Sequence, residues 1–475
     1  MALSKRVAER RLRLAAGLVL VTLGSAMAAT PVAADEAGGP GNLASARGCT
    51  AEHGRVRVTA AFVGDVLAHD TLQTAADQNR ARGGFATLWS QVAPALALPH
   101  VTYANLEGPV AENVRCDGRL SGMAPSVLSG GSACGPGDWS AVYTGYPLLN
   151  YPPRLLDDLR RAGVDVVSTA NNHALDRYAL GVDLTLDALD SRGIAHFGTR
   201  RAGSAEPFYT VTPVRGEGGT MQIAWLACSF GTNGIPDRSH QVASCYEASG
   251  LPSDDLVRAV GYLSGRDDVD AVVVTPHWGV EYSRAPSESQ RRLAQRLVDA
   301  GALAVVGTHP HVLQPMERLT ASGANGRREA FVAYSLGNFI ADQPVEASRV
   351  GAVLLLHLAT SNGRSRIEGV DVVPYRMVHG PPGSGLALTL VPLPTSAAAS
   401  VERMLPSVSL ITPADAMRGD SPPCSDRQRL PANEAASPNG ERGGRPPRID
   451  ARAPPHLSRG ALRQRERYSS SSGLA

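Results

Sequence analysis

Five apolar runs in this chain each end in a cluster of polar side chains, and that repeated pattern limits what it can fold into. The run Ala302-Leu303-Ala304-Val305-Val306 leads directly into Gly307-Thr308-His309-Pro310-His311. Two histidines two residues apart, at the end of a buried strand, can put both imidazoles on one face of an open turn. That placement suits metal ligation better than packing. Four other runs end alike, in Gly64-Asp65, Asn105-Leu106-Glu107, Asn171-Asn172-His173 and His277-Trp278-Gly279. Asp, Asn, Glu and His recurring at strand ends mark a site at the carboxyl edge of an α/β sheet.

The pattern between these clusters supports that reading. Apolar strands are expected at 58–63, 101–105, 164–168, 221–228, 271–275 and 302–306. Helices are expected at 154–162, 183–192 and 287–300, each closed by a glycine: Gly163, Gly193 and Gly301. Continuous apolar strands alternating with helices predict an α/β protein whose sheet is covered on both faces. Later strands at 331–335, 352–357 and 367–373 have no helices between them and are expected to be antiparallel. Residues 108–150 form a long irregular segment, a length that usually carries function or disorder. The folded domain is expected over 57–391, followed by a Pro-, Ser-, Ala- and Arg-rich, mostly disordered tail over 392–475.

The amino end reads as an export signal. Lys5, Arg6, Arg10, Arg11 and Arg13 precede an apolar stretch over 14–29, shorter than the roughly 20 residues of a membrane span. Residues 1–34 are therefore expected to be a signal peptide, or else an amino-terminal anchor, with a linker over 35–56. The expected location is extracellular or on the cell envelope. The 475 residues carry 46 basic and 44 acidic side chains, net +2. Residues 1–34 hold five basic groups and Glu9, so without them the balance is 2 − 4 = −2. A near-neutral chain with scattered charge offers no case for nucleic-acid binding. Lys5 is the only lysine, which excludes Schiff-base, P-loop and kinase-type lysine chemistry from the remainder. No G-x-S-x-G elbow is present. Six cysteines without a C-x-x-C pair argue against zinc ribbons, and in an exported chain an even count suggests disulfides. Sequence neighbours propose Cys116–Cys134 and Cys228–Cys245, against free buried thiols as the alternative.

Taken singly, each polar cluster has a structural explanation. Asp65 could cap a helix, Asn171 or Asn172 could hold a left-handed turn, and His277 could pack beside Trp278. Five together on one edge do not reduce to five independent caps. Carboxylate, amide and imidazole donors without thiolate suit Mn, Fe or Zn in a catalytic site.

At this point the motifs resemble a family. Gly64-Asp65-Val66-Leu67, Asn105-Leu106-Glu107, the run from Ala170 through Asn171-Asn172-His173 and Asp176 to Gly181, His277 to Tyr282, Gly307 to Gln314, and Tyr334 to Phe339 are similar, in order, to the motifs of the CapA family. These are capsule and poly-γ-glutamate synthesis proteins placed in the calcineurin-like metallophosphatase superfamily. The resemblance implies a four-layered α/β/β/α sandwich with mixed sheets and two divalent metal ions at its edge. It assigns Asp65, Glu107, Asn172, His277, His309 and His311 as metal ligands, with Glu107 bridging. His69 is offered in place of the usual Asp-x-His histidine. His173 takes the proton-donating or charge-stabilising role. Asn105, Asp176, Glu281, Tyr282 and Asn338 are expected to support these groups, Glu281 and Tyr282 by orienting His277. Tyr178 stands where the family usually has glycine, and Thr308 where another histidine is common. The implied activity is synthesis, transfer or anchoring of an anionic capsule polymer such as poly-γ-glutamate, alongside other capsule-synthesis membrane proteins. The alternatives are a secreted dinuclear-metal phosphoesterase and a non-catalytic assembly module.

Overall fold

A computed structural model describes residues 55–122, 134, 139–323, 326–380, 388–394, 401 and 409–412. The expected signal segment, most of the linker, residues 413–475, Cys49 and Cys424 lie outside the described residues.

β1 (Arg55–Val66) is the central strand of the first sheet and is apolar on both faces, so it must be covered from both sides. Parallel to it run β2 (Val101–Leu106), β3 (Val166–Ser168) and β4 (Ala195–Phe197). On its other side β12 (Val350–Ser361), β13 (Arg364–His379) and β14 (Leu388–Pro392) are antiparallel, as expected where helices are lacking. The second sheet has the order β5 (Tyr209–Gly216), β6 (Gly219–Ser229), β7 (Ala271–His277), β8 (Ala304–Val306), β10 (Gly326–Ala333), β9 (Met316–Gly323). Here the expectation for the later strands holds only in part, because β10 pairs antiparallel with β9 but parallel with β8.

Alternation along the strands sorts the core into three strata. Phe62, Tyr103, Phe197, Trp225, Val273, Val306 and Leu354 fill the space between the sheets. Ala61, Val63, Ala104 and Val167 point the other way, onto α3 (Arg154–Ala162) and α4 (Tyr178–Asp190). Ala224, Val272, Val274 and Val305 meet α5 (Asp254–Ser264) and α6 (Glu288–Ala300). The layering is thus helix, sheet, sheet, helix. Each fully buried aromatic side chain in the middle stratum stabilises by about 1.5–3 kcal/mol. Tyr103 and Trp225 stack there with centroids 6.3 Å apart.

Local chemistry sets the helix ends. Ser287 and Gln290 form a reciprocal capping box on α6, and Gly163 closes α3 at φ +110°. α1 (Asp70–Gln78) follows β1 directly, and α4 starts at Tyr178, five residues before the expected helix. β1 begins inside the expected linker. Beyond the expected domain end at 391, β15 (Ser409–Leu410) pairs with β13 at Asp371 and Val372, so the sheet reaches into the segment read as tail. Among the described residues no helix is long and apolar enough to cross a membrane.

Candidate metal centre

The carboxyl ends of β1, β2 and β3 in one sheet and of β7 and β8 in the other converge on one edge. Asp65 lies at the end of β1, with Asn105 and Glu107 at the end of β2. Asn172 and His173 follow β3, His277 closes β7, and His309 and His311 follow β8. Close backbone approach makes this geometry. A Cβ at Gly64 would sit 1.8 Å from the carbonyl oxygen of Gly337, so only glycine lets β1 pair with β11 (Asn338–Ile340), where Asp65 meets Asn338. The pairing of β1 is irregular beside Asp65, a device common next to functional sites. His309 and His311 have φ of +95° and +58°. Left-handed backbone at two non-glycine residues is strain of about 1–3 kcal/mol each, held in place by the surrounding structure.

A hydrogen-bond network fixes each side chain. Asp65 Oδ1 accepts from Asn105 Nδ2 at 2.8 Å, and Asp65 Oδ2 accepts from the His309 N–H at 3.2 Å. Asn105 Oδ1 accepts from Ser168 Oγ at 2.8 Å, and Ser168 Oγ lies 2.7 Å from Tyr103 OH, linking the site to the inter-sheet core. His277 Nδ1 is 3.0 Å from Thr308 Oγ1 and 3.3 Å from Asn105 Nδ2. Its Nε2 is turned inward, 2.8 Å from Asn172 Oδ1 and 3.6 Å from Glu107 Oε1. His311 Nδ1 lies 2.9 Å from Asn338 Oδ1 and 3.1 Å from Asp65 Oδ2, and its Nε2 faces Glu107 at 3.9 Å.

Glu107 is the anomaly of the network. It is fully buried, and neither of its carboxylate oxygens receives a hydrogen bond. Burial first, then the neighbouring Asp65, Glu281 and Asp176 carboxylates, push its pKa well above the usual range. Two histidines around it, His277 and His309, shift oppositely. Burial holds His277 far below its ordinary value, and holds His309 at about 3, with the adjacent imidazoles adding to both. His309 Nδ1 is also buried without a partner. Orphaned acceptors beside deprotonated imidazoles are the donor set a divalent cation takes. The donor atoms form two groups within 4.8 Å, Asp65–Glu107–His277 and Glu107–His309–His311, and Glu107 belongs to both.

His173 stands beside these groups. Its Nδ1 lies 2.6 Å from Asp176 Oδ2, which also accepts from the Leu149 N–H at 2.7 Å. Tyr178 has a left-handed backbone, at φ +54°, a conformation glycine adopts more readily. Other expected residues sit differently. His69 belongs to neither group, and its Nδ1 accepts from the Asp342 N–H at 3.1 Å. Tyr282 faces His311, with centroids 6.1 Å apart, and Glu281 is exposed, so orientation of His277 falls to Thr308 instead. Sequence reasoning missed Phe230, 4.3 Å from His309 between centroids, and Asn233, which accepts from Asn172 Nδ2 at 3.1 Å. Both lie in an irregular loop with no periodicity to mark it.

Residues 59–343, more than half of the chain, match the family described as "Bacterial capsule synthesis protein PGA_cap". The chain belongs to that family. It is 31% identical over 217 residues to the PGA biosynthesis protein CapA of Bacillus subtilis (strain 168), covering 45% of this chain and 52% of that one. It is 30% identical over 234 residues to the capsule biosynthesis protein CapA of Bacillus anthracis, covering 47% and 50%. The chain thus spans about half the length of these relatives. A solved structure titled calcineurin-like phosphoesterase YfkN from Bacillus subtilis aligns over 67% of this chain and 90% of that one, at 12% identity and a TM-score of 0.34.

Proposed function

We propose that this chain is an exported, metal-dependent capsule-synthesis protein acting on an anionic polymer such as poly-γ-glutamate, in its synthesis, transfer or anchoring. The observation that carries this is the buried, unpartnered Glu107 carboxylate shared by two donor groups at the convergent strand ends. Membership of the capsule-synthesis family supplies the biological setting. Asp65, Asn172 and His277 would hold one cation and His309 and His311 the other, with Glu107 serving both. Bound divalent cations would supply Lewis acidity toward an anionic substrate. The chain's own residues do the rest. Thr308 aims His277, Asn338 aims His311, and His173 transfers a proton to the leaving group while Asp176 keeps its Nδ1 engaged. The basic and apolar amino end supports export, and the two disulfides are compatible with an oxidising compartment. Membrane proteins of capsule synthesis are the expected partners.

The test is metal analysis of the purified full chain and its Glu107→Gln variant, followed by parallel assays on poly-γ-glutamate and on small phosphate esters. The wild type should hold two divalent ions, and the variant should lose at least one of them. Turnover of phosphate esters alone would move the assignment to a phosphoesterase. A wild type that binds no metal would leave only an assembly role.

A further inference from the structure

Residues 108–150 form the long irregular segment between the Asn105-Leu106-Glu107 and Asn171-Asn172-His173 clusters, and their described parts converge on one side chain. Arg177 is fully buried. Its Nε donates to Val114 O at 3.3 Å, and its Nη1 to Leu148 O, Leu149 O and Asp176 O at 3.3, 3.4 and 2.9 Å. Its Nη2 donates to Val142 O at 3.1 Å and Thr144 Oγ1 at 2.7 Å. The same Nη2 lies 3.7 and 3.6 Å from the sulfurs of Cys116 and Cys134, which are joined in a disulfide. A guanidinium so far from water needs this many acceptors, because each unmade bond costs several kcal/mol at a charged group. That segment supplies nearly all of them.

Leu149 joins this cluster to the proposed site. Its carbonyl accepts from Arg177, and its N–H donates to Asp176 Oδ2, the oxygen 2.6 Å from His173 Nδ1. A second observation points the same way. Tyr178, strained at φ +54°, packs so closely on Gly118 of the segment that a Cβ there would lie 2.5 Å from its ring. Both residues that follow Asp176 are therefore turned toward this segment.

We propose that Arg177 is a positioning residue for His173. It holds the disulfide-closed segment so that the Leu149 N–H orients the Asp176 carboxylate, and this carboxylate sets the imidazole. The inference rests on the proton-transfer role given to His173 above. The experiment uses the full-length, disulfide-bonded protein with zinc as the probe metal. It compares wild type, Arg177→Met and the double variant Cys116→Ser/Cys134→Ser. Proton NMR follows the low-field resonance of the His173 Nδ1–H, assigned by its loss in His173→Gln. We expect the resonance in wild type and its loss in both variants, with zinc content unchanged. Zinc retention separates loss of positioning from general unfolding, since Asn172 is the neighbouring residue. If Arg177→Met does not fold, the double variant, which keeps the arginine, decides. A resonance that persists in the folded double variant or in folded Arg177→Met overturns the proposal, as does its absence from wild type. Failure of the functional reading looks different: zinc would not bind, or His173→Ala would keep its full rate, while the resonance still depended on Arg177.

Discussion

At the scale of single residues, the site is a balance between buried charge and missing counter-charge, and that balance is measurable. His173 and the metal-facing groups should separate cleanly. His173→Ala is expected to keep its metal and lose about 10²- to 10⁴-fold in turnover, the range of a missing general acid. Metal analysis beside the rate would sink the assignment if the metal left with the imidazole. His309 gives a pH signature in the metal-free protein. Its folded pKa is held at about 3, against about 6.5 in the unfolded chain. Between those values the unfolded chain takes up a proton that the folded chain refuses. The stabilisation is thus complete above pH 6.5 and is lost as pH falls, by up to about 1.4 kcal/mol per pH unit. Urea unfolding of chelator-treated protein from pH 7.5 to 4 should show a shallower decline for His309→Gln than for wild type. Parallel curves would mean that His309 is not buried as described. Glu107 shifts in the opposite sense, so the comparison with the variant, not the wild-type curve alone, isolates the imidazole.

At the scale of elements, the sequence was most legible where a period and a stop signal coincided. Residues 154–162 end at a glycine in a left-handed conformation, and 287–300 open on a capping box, so both helices could be placed to within a residue. β4 and β11 have three residues each, too few to show alternation, and β11 exists because Gly64 lets it approach β1. The site was legible as strand-end chemistry, because Asp65, Glu107, His277, His309 and His311 all follow continuous apolar runs. Thr308 drew notice only as a departure from the family pattern, yet it bonds His277; that role depends on the parallel bridge between the two strand ends. β15 was hidden because it is only two residues long and sits in a segment read from its Pro, Ser, Ala and Arg content as tail. Its contribution can be measured by shortening the chain. Leu410 and Ile411 pack against the core, and the Ile411 N–H donates to Val372 O at 2.9 Å. A chain stopped after residue 407 should be about 1–3 kcal/mol less stable than one stopped after Thr412. Equal denaturant midpoints would show that β15 adds nothing to the sheet.

At the scale of the whole molecule, two cross-links hold the loops that flank the convergent strand ends. Cys116–Cys134 closes a separation of 18 residues beside Arg177, and Cys228–Cys245 closes one of 17 where β6 runs into the loop carrying Phe230 and Asn233. The second bridge lies against β7 as well, with Cys245 Sγ 3.9 Å from His277 O. Neither bridge joins the two sheets, which meet through the apolar stratum of Phe62, Tyr103 and Trp225, the Arg57–Glu217 backbone pair and the hydrogen bonds of the site. Reduction should therefore loosen the surroundings of the site before it separates the layers. Loops of this length stabilise a folded chain by around 3 kcal/mol each, mainly by restricting the unfolded state. Mass spectrometry of an unreduced digest of exported material should link Cys116 to Cys134 and Cys228 to Cys245. Reductant should lower the urea midpoint while leaving the far-ultraviolet circular dichroism of the native state in place. Six free thiols in that material would reject both the pairing and the oxidising compartment it supports. A native spectrum that collapses on reduction would instead mean that the bridges, and not the apolar stratum, hold the layers together.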